Sequence, residues 1–296
     1  MPSTLRWMRL RPQETALIAI TAVWGSTFLL VHWAMQHSGP WFFVGIRFLV
    51  AGLISVVIFR RVLHGIRWRD IGAGVAIGVM IYLGYGLQTV GLQTIDSSTS
   101  AFITAMYVPL VPLAQWAVFR KRPPAMAFIG AGLAFIGLVL IAGPDALLTL
   151  TLGAGEIATM LSTLPIAAEI ILISVFAGRI DLGRITVIQL LTAGMLGLLT
   201  MPVTGESVPE FSWIWVGCAV GLGAASCLIQ LTMNWAQKSV SPTRATIIYA
   251  GEPVWAGIIG RIAGERLPAT ALIGGALVVL GILASELKLV RRRARE

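Results

Sequence analysis

Apolar residues in this chain come in long continuous runs joined by short polar stretches, rather than on one face of a repeating pattern. Ten runs can be drawn, at about 14–35, 41–59, 71–92, 98–119, 125–142, 155–177, 185–202, 212–236, 242–261 and 269–287. Each is near the roughly 17–25 residues a helix needs to cross the hydrocarbon of a bilayer. The pattern therefore predicts an all-α integral membrane protein with ten transmembrane helices. These runs take up nearly all of the 296 residues, which leaves no length for a soluble catalytic or nucleotide-binding domain.

The positions between and within the runs repeat. Setting 93–140 against 237–284 without a gap, an offset of 144, gives fourteen identities: Gln93, Ser97, Thr99, Ala101, Ile103, Pro109, Arg122, Pro124, Ala125, Ala127, Ile129, Gly130, Leu133 and Gly137. A duplicated apolar half is the sequence sign of a transporter built from related bundles around a central site. The predicted units are 1–144 and 145–296, divided at the helix-stop pair Gly143-Pro144. Five runs per unit is an odd number, so the second unit must enter the membrane from the other side and the repeat is expected to be inverted. Gly74 and Gly78 share a small-xxx-small spacing with Gly217 and Gly221, a spacing that predicts close helix packing in lipid.

Composition strengthens the membrane reading: 57% of residues are hydrophobic and only 12% are charged, and mean hydropathy is +0.86. An ordinary soluble domain is about one quarter charged. The net charge of +9 would suggest nucleic acid in a soluble chain, but here its distribution reports topology. Lys and Arg crowd the two tails and the joints after the even-numbered runs. Only Arg261 and Arg266 fall on the opposite side, and Arg47 lies inside a run. By the positive-inside rule both termini are cytoplasmic, and no nucleic-acid partner is expected. The apolar run after Arg6, Arg9 and Arg11 is read as a retained first helix, not a cleaved signal. Cys218 and Cys227, nine residues apart on one predicted helix, would face opposite sides and cannot pair.

Ionisable groups inside membrane helices are costly and usually functional, and three stand out: Arg47, Glu169 and Glu252. Glu252 lies near the predicted midplane with Pro253 after it, and Pro109 occupies the matching place in the fourth run. Proline removes a backbone donor and frees carbonyls, so Pro109 and Pro253 are expected as paired helix breaks or hinges beside a substrate site. Glu169 shares a face with Ser162 and Pro165. Arg47 is read as a structural charge locked to a carbonyl or an acid, ahead of a role in binding a substrate carboxylate. Steps of three and four put Tyr82, Tyr85, Gln88 and Thr89 on one face of the third run, and Ser100, Thr104 and Tyr107 on one face of the fourth. The same steps align Ser226, Gln230, Asn234 and Gln237 in the eighth run and Thr246, Tyr249 and Glu252 in the ninth. Four such faces are expected to line a shared interior. A phosphate-binding G-x-x-x-x-G-K-[ST] loop is absent, which excludes ATP-driven transport by this chain. His32, His37 and His64 fall near run ends, so neither a metal site nor a buried base for a serine hydrolase is expected, and no cofactor is implied.

The first run contains Trp24-Gly25-Ser26-Thr27-Phe28 and the second Arg47-Phe48-Leu49-Val50-Ala51-Gly52. The ninth contains Glu252-Pro253-Val254 and ends in Gly264-Glu265-Arg266-Leu267. In this order the motifs resemble the drug/metabolite transporter superfamily, in its ten-helix EamA-type branch, over the whole chain. The resemblance implies a non-enzymatic secondary exporter of the cytoplasmic (inner) membrane. Spans one to four and six to nine would surround a central cavity, with spans five and ten peripheral. It also implies that Trp24 and Ser26 line the cavity, and within the branch the chain looks most like exporters of amino acids, including aromatic ones. Lys121, where the fourth span often ends in Glu, and Pro165 depart from the pattern.

The function expected from sequence is export of small amphiphilic metabolites, most of all amino acids, by alternating access. The substrate contacts would be Trp24, Ser26, Tyr82, Tyr85, Tyr107, Glu169, Gln230, Asn234, Tyr249 and Glu252. The bilayer and a small-molecule substrate are the expected partners, with protons as a candidate coupling ion through Glu169 or Glu252. A drug, nucleoside or sugar transporter of the same fold is the alternative, and a membrane enzyme acting on lipids is a remote one.

Overall fold

A computed structural model describes residues 11–120, 152–266 and 269–286, with scattered positions between 126 and 140. Most of the fifth predicted span, Lys121, the Gly143-Pro144 boundary and Leu267 lie outside the described residues. Within them the chain is helical: α1 (Pro12–Ala34), α2 (Pro40–Phe59), α3 (Trp68–Gly91), α4 (Ser97–Thr104), α5 (Tyr107–Phe119) and α6 (Ala154–Phe176). The helices α7 (Leu182–Thr204), α8 (Trp213–Ala236), α9 (Pro242–Tyr249), α10 (Glu252–Ile262) and α11 (Ala269–Glu286) follow. Seven stretches are long and apolar enough to cross a bilayer: α1, α2, α3, Ser97–Val118, α6, α7 and α8. The ninth predicted span is divided into α9 and α10, of 8 and 11 residues, each too short to cross alone. In α11 the apolar stretch is the shorter Leu272–Gly281.

Helix starts follow local chemistry. Proline begins α1, α2 and α9, where its missing N–H breaks no helical bond. Asp181 accepts from the N–H groups of Gly183 and Arg184 to open α7, and Ser241 does the same for α9 through Arg244. At its far end α7 stops at Gly205, whose φ of 73° is a left-handed backbone that glycine adopts without a Cβ clash.

The fourth and ninth predicted spans are both interrupted. The chain pauses at Ala105 and Met106 between α4 and α5, and at Ala250 and Gly251 between α9 and α10. Pro109 and Pro253 sit in the first turns of α5 and α10. Neither can donate to the carbonyl four residues earlier, so the continuous ladder ends just before each. Tighter three-residue turns form at the pauses, with Val108 N–H on the Ala105 carbonyl that Pro109 frees at 3.0 Å and Gly251 N–H on the Ile248 carbonyl at 3.1 Å. Pro112 falls inside α5, and α10 has no second proline.

The bundle is assembled by neighbours far apart in sequence. α2 lies along α7, α3 packs on α6 and α7, and α8 packs on α1 and α2. α10 packs on α1 and α4, α5 packs on α6, and α11 only touches α4, α5 and α9. Small residues permit these crossings. A Cβ on Gly194 would stand 2.6 Å from the Leu49 backbone nitrogen, and one on Gly25 would stand 2.7 Å from the Glu252 carbonyl. Of the two expected glycine pairs, Gly74 and Gly78 abut Ile188 and Gln189 of α7, whereas Gly217 and Gly221 meet no described atom within 4 Å. The equivalent role on α8 falls to Gly223, which abuts Val50.

Apolar and polar side chains are distributed as a membrane solvent demands. Large apolar residues such as Leu53, Val57, Leu164 and Leu199 face outward, while Arg47, Gln88, Glu169, Gln189 and Glu252 are buried. Lipid offers polar groups no partners, so they gather in the interior. Both cysteines are free.

Candidate substrate site

Three aromatic side chains from three helices form the centre of the bundle. Trp24 of α1 stacks on Tyr85 of α3 with centroids 6.4 Å apart and planes at 14°. It meets the edge of Tyr249 of α9 at 5.6 Å. Phe48 of α2 packs edge-on against Tyr85 at 5.1 Å. The Arg47 guanidinium lies 5.3 Å from the ring centroids of both Phe48 and Tyr85. Such cation–ring contacts contribute about 2 kcal/mol when desolvated.

Polar groups extend from this column in two directions. On one side, Gln230 of α8 donates to Glu169 of α6 at 2.7 Å, and Gln189 of α7 donates to Gln230 at 2.8 Å. Asn234 then donates to Gln189 at 3.3 Å and to Thr186 at 3.0 Å. Glu169 thus ends a chain of side-chain amides, and the Tyr85 hydroxyl adjoins that chain at Gln230. On the other side, at the helix breaks, the Tyr107 hydroxyl donates to Glu252 Oε2 at 3.3 Å. Gln237 donates to the Tyr249 hydroxyl at 3.4 Å. Tyr107 is the first residue of α5 and Glu252 the first of α10, so the two breaks meet through these side chains.

The cluster is closed. Trp24, Arg47, Tyr85, Tyr107, Glu169, Gln230, Asn234, Tyr249 and Glu252 are each no more than 4% exposed. A molecule could reach these residues only if helices part. Two ionisable side chains are incompletely satisfied: Arg47 donates from Nε to Ser226 at 2.8 Å while Nη2 has no partner, and Glu252 Oε1 has none either. Among the described residues no carboxylate lies within ion-pair distance of Arg47; the two ion pairs are Arg184–Asp70 and Arg244–Glu14. A buried polar atom without a partner costs about 1–3 kcal/mol, so both atoms are places where a bound polar group would be stabilising.

Eight of the sequence-predicted contacts thus come together: Trp24, Tyr85, Tyr107, Glu169, Gln230, Asn234, Tyr249 and Glu252. The other two spend their hydroxyls on different partners. Tyr82 is half-buried, tilts against Trp41 at 5.4 Å and bonds Thr200 at 2.6 Å. Ser26 returns its hydroxyl to the Val23 carbonyl at 2.6 Å, as serine does when a helix offers an i−3 acceptor. The sequence reading missed Thr186 and Gln189, whose signal was two polar residues at helical spacing within an otherwise apolar seventh run. It also missed the direct partnership of Ser226 with Arg47.

Carboxylates tie the two ends of the bundle. At the end holding the α4 start, Glu265 after α10 accepts from the N–H and hydroxyl groups of both Ser97 and Ser98. Glu206 after α7 accepts from Trp41 and Phe42 N–H at 3.1 and 2.7 Å. At the opposite end Arg244 of α9 pairs with Glu14 of α1 at 2.6 Å, and Arg184 of α7 with Asp70 of α3 at 3.2 Å. A separate groove of about 880 Å³, lined by Phe102, Gly257, Leu272 and Val279 among others, lies between α4, α10 and α11 and holds none of the clustered residues.

A family model described as the EamA-like transporter family matches residues 13–143 and again residues 153–286. An uncharacterized transporter of Archaeoglobus fulgidus is 26% identical over 279 residues, which cover 93% of this chain and 86% of that protein. The uncharacterized inner membrane transporter YedA of Escherichia coli K12 is 25% identical over 297 residues, covering 94% and 92%. A shorter match, 29% over 120 residues and 37% of this chain, is to the S-adenosylmethionine/S-adenosylhomocysteine transporter of Chlamydia muridarum, of which it covers 38%. A solved crystal structure superposes with a TM-score of 0.67 at 16% identity, covering 94% of this chain and 98% of the other. That likeness concerns the fold alone.

Proposed function

The chain belongs to the EamA-like transporter family and is a multi-pass membrane transporter, and from that premise we propose that it exports amino acids, aromatic and hydrophobic ones included, across the cytoplasmic membrane. The observation that carries this reading is the convergence of Trp24, Tyr85 and Tyr249 with Glu252, Tyr107 and the Glu169 amide chain beside two helix breaks. Rings receive an apolar side chain, and carboxylates and amides hold a polar head. Nothing in the cluster is spent on a nucleophile and its base, which favours binding over chemistry.

The mechanism is alternating access by two inverted five-helix units, 1–144 and 145–296, with both termini cytoplasmic. The internal repeat, the double family match and the paired breaks support this arrangement. Bending at Pro109 and Pro253 parts α4/α5 from α9/α10 and opens the cluster to one side at a time. The carboxylate ties at the two ends would release alternately. Proton coupling through Glu169 or Glu252 accompanies the scheme. If a pH gradient leaves transport by the reconstituted protein unchanged, facilitated diffusion replaces it.

The match to the Chlamydia muridarum protein favours a second reading. S-adenosylmethionine joins an amino-acid head to an aromatic base, and both would meet groups that this cluster presents. Counterflow in liposomes against the twenty amino acids, S-adenosylmethionine and a few nucleosides and sugars tests both readings. Exchange of amino acids supports the first. Exchange confined to nucleosides or sugars rejects it.

A further inference from the structure

Among the described residues Arg47 is the one cation within the central cluster, and its surroundings are those of a held binding group. Nε is anchored to Ser226 Oγ at 2.8 Å, which fixes the plane of the guanidinium from α8. Phe48 and Tyr85 place their rings 5.3 Å from its carbon. Nη2 is buried and has no hydrogen-bond partner, while no described carboxylate lies within ion-pair distance. A structural lock would be expected to satisfy the whole fork. Here one nitrogen orients the group and another is buried without a partner, in a guanidinium whose carbon lies 5.3 Å from the ring of Tyr85, on which Trp24 stacks. A guanidinium fork matches the two oxygens of a carboxylate, and lysine in its place would offer only a point charge.

We infer that Arg47 is a specificity-determining substrate ligand: the open edge of its guanidinium takes the carboxylate of the transported molecule, while the substrate's apolar body lies against Tyr85 and Trp24. The substrates are therefore organic acids or zwitterions with an aromatic or aliphatic body, and amines lacking a carboxylate are discriminated against. This rests on the transport reading above and adds to it the group that is read. Glu252, with its own open oxygen Oε1, is left for a different part of the substrate or for a proton.

The test uses the full chain in liposomes and three matched probes: L-phenylalanine, 3-phenylpropionate, which lacks the ammonium, and phenethylamine, which lacks the carboxylate. Wild-type protein is expected to exchange phenylalanine at least about tenfold faster than phenethylamine, the scale of one charge-assisted bond. In Arg47→Gln that preference should fall to within about twofold, and Arg47→Lys should be intermediate. Ser226→Ala leaves the charge in place but frees its anchor, so carboxylate probes should weaken severalfold while phenethylamine is unaffected; this arm serves if the Arg47 variants do not insert. Retention of the full preference in Arg47→Gln, or in Ser226→Ala where the Arg47 variants do not insert, overturns the inference and leaves amino-acid transport standing. Exchange of 3-phenylpropionate but not phenylalanine, lost in Arg47→Gln, rejects amino-acid export and upholds the role of Arg47. A wild-type protein that moves neither carboxylate rejects both.

Discussion

At the break between α4 and α5 the chain resumes with Tyr107 and Val108; at the break between α9 and α10 it resumes with Glu252 and Pro253. The backbone device is the same in both places, a two-residue pause followed by a proline in the first turn. The chemistry differs. One break offers a phenol and an apolar residue, the other a carboxylate, and the two are joined by the 3.3 Å bond from Tyr107 to Glu252. In the sequence register Val108 stands against Glu252 and Tyr107 against Gly251. A duplicated backbone can supply a hinge twice while the charged group is supplied once, so movement and recognition are separable. α5 also carries Pro112, which removes a further donor, whereas Ala256 holds the matching position in α10.

The largest expected effect is removal of the one carboxyl group at the described breaks. Leaving its buried partner unsatisfied costs about 1–3 kcal/mol, so Glu252→Ala should slow amino-acid counterflow roughly fivefold to a hundredfold at equal insertion. An unchanged rate would make the two breaks chemically equivalent. Next come the hinges. Since proline costs a helix interior about 3 kcal/mol, Pro253→Ala lets α9 and α10 fuse and should slow exchange about tenfold. Pro109→Ala should cost less, because Pro112 still interrupts its span, and equal losses in the two variants would remove that distinction.

A smaller effect is expected where Glu265 caps the start of α4. Capping substitutions cost about 0.5–2 kcal/mol, so Glu265→Gln should loosen that end. Alkylation of Ser100→Cys, in a background without Cys218 and Cys227, should then rise severalfold from the α4-start side; no rise would show that the cap does not hold the bundle closed. The smallest effect belongs to Tyr107→Phe, which removes one 3.3 Å bond and should reduce counterflow about twofold to fivefold, given about 0.5–1 kcal/mol for a hydrogen bond of that length. A loss as large as that of Glu252→Ala would mean that the phenol carries the recognition.

Much of this was legible in the chain because the bilayer constrains it so strongly. Long apolar runs located the seven described spans, and Pro109 and Pro253 located the breaks, since a missing donor acts locally and needs no tertiary knowledge. The charged trio of Arg47, Glu169 and Glu252 stood out because charge in an apolar run is costly. What could not be read was which way a polar side chain turns. Ser26 spends its hydroxyl on its own helix, Tyr82 is claimed by Trp41 and Thr200, and Gln189 joins the cluster only because α7 crosses α8 at Gln230. Gly217 and Gly221 meet no neighbour among the described residues for a similar reason: a spacing tells where a close approach is possible, not whether a neighbour arrives.

Trp24 touches both the Tyr85 ring and the Tyr249 ring without being a charge, a hinge or a cap. Counterflow of labelled phenylalanine by Trp24→Ala protein, reconstituted at the same density as the parent, therefore tests most directly whether the closed cluster is the transport site. Truncating a buried aromatic residue costs about 3–5 kcal/mol of packing where it is fully used, and the expected result is at least a tenfold loss of exchange with normal insertion. Exchange at the parental rate and with the parental half-saturation would contradict it, and would place the substrate's path outside the column of Trp24, Tyr85 and Tyr249.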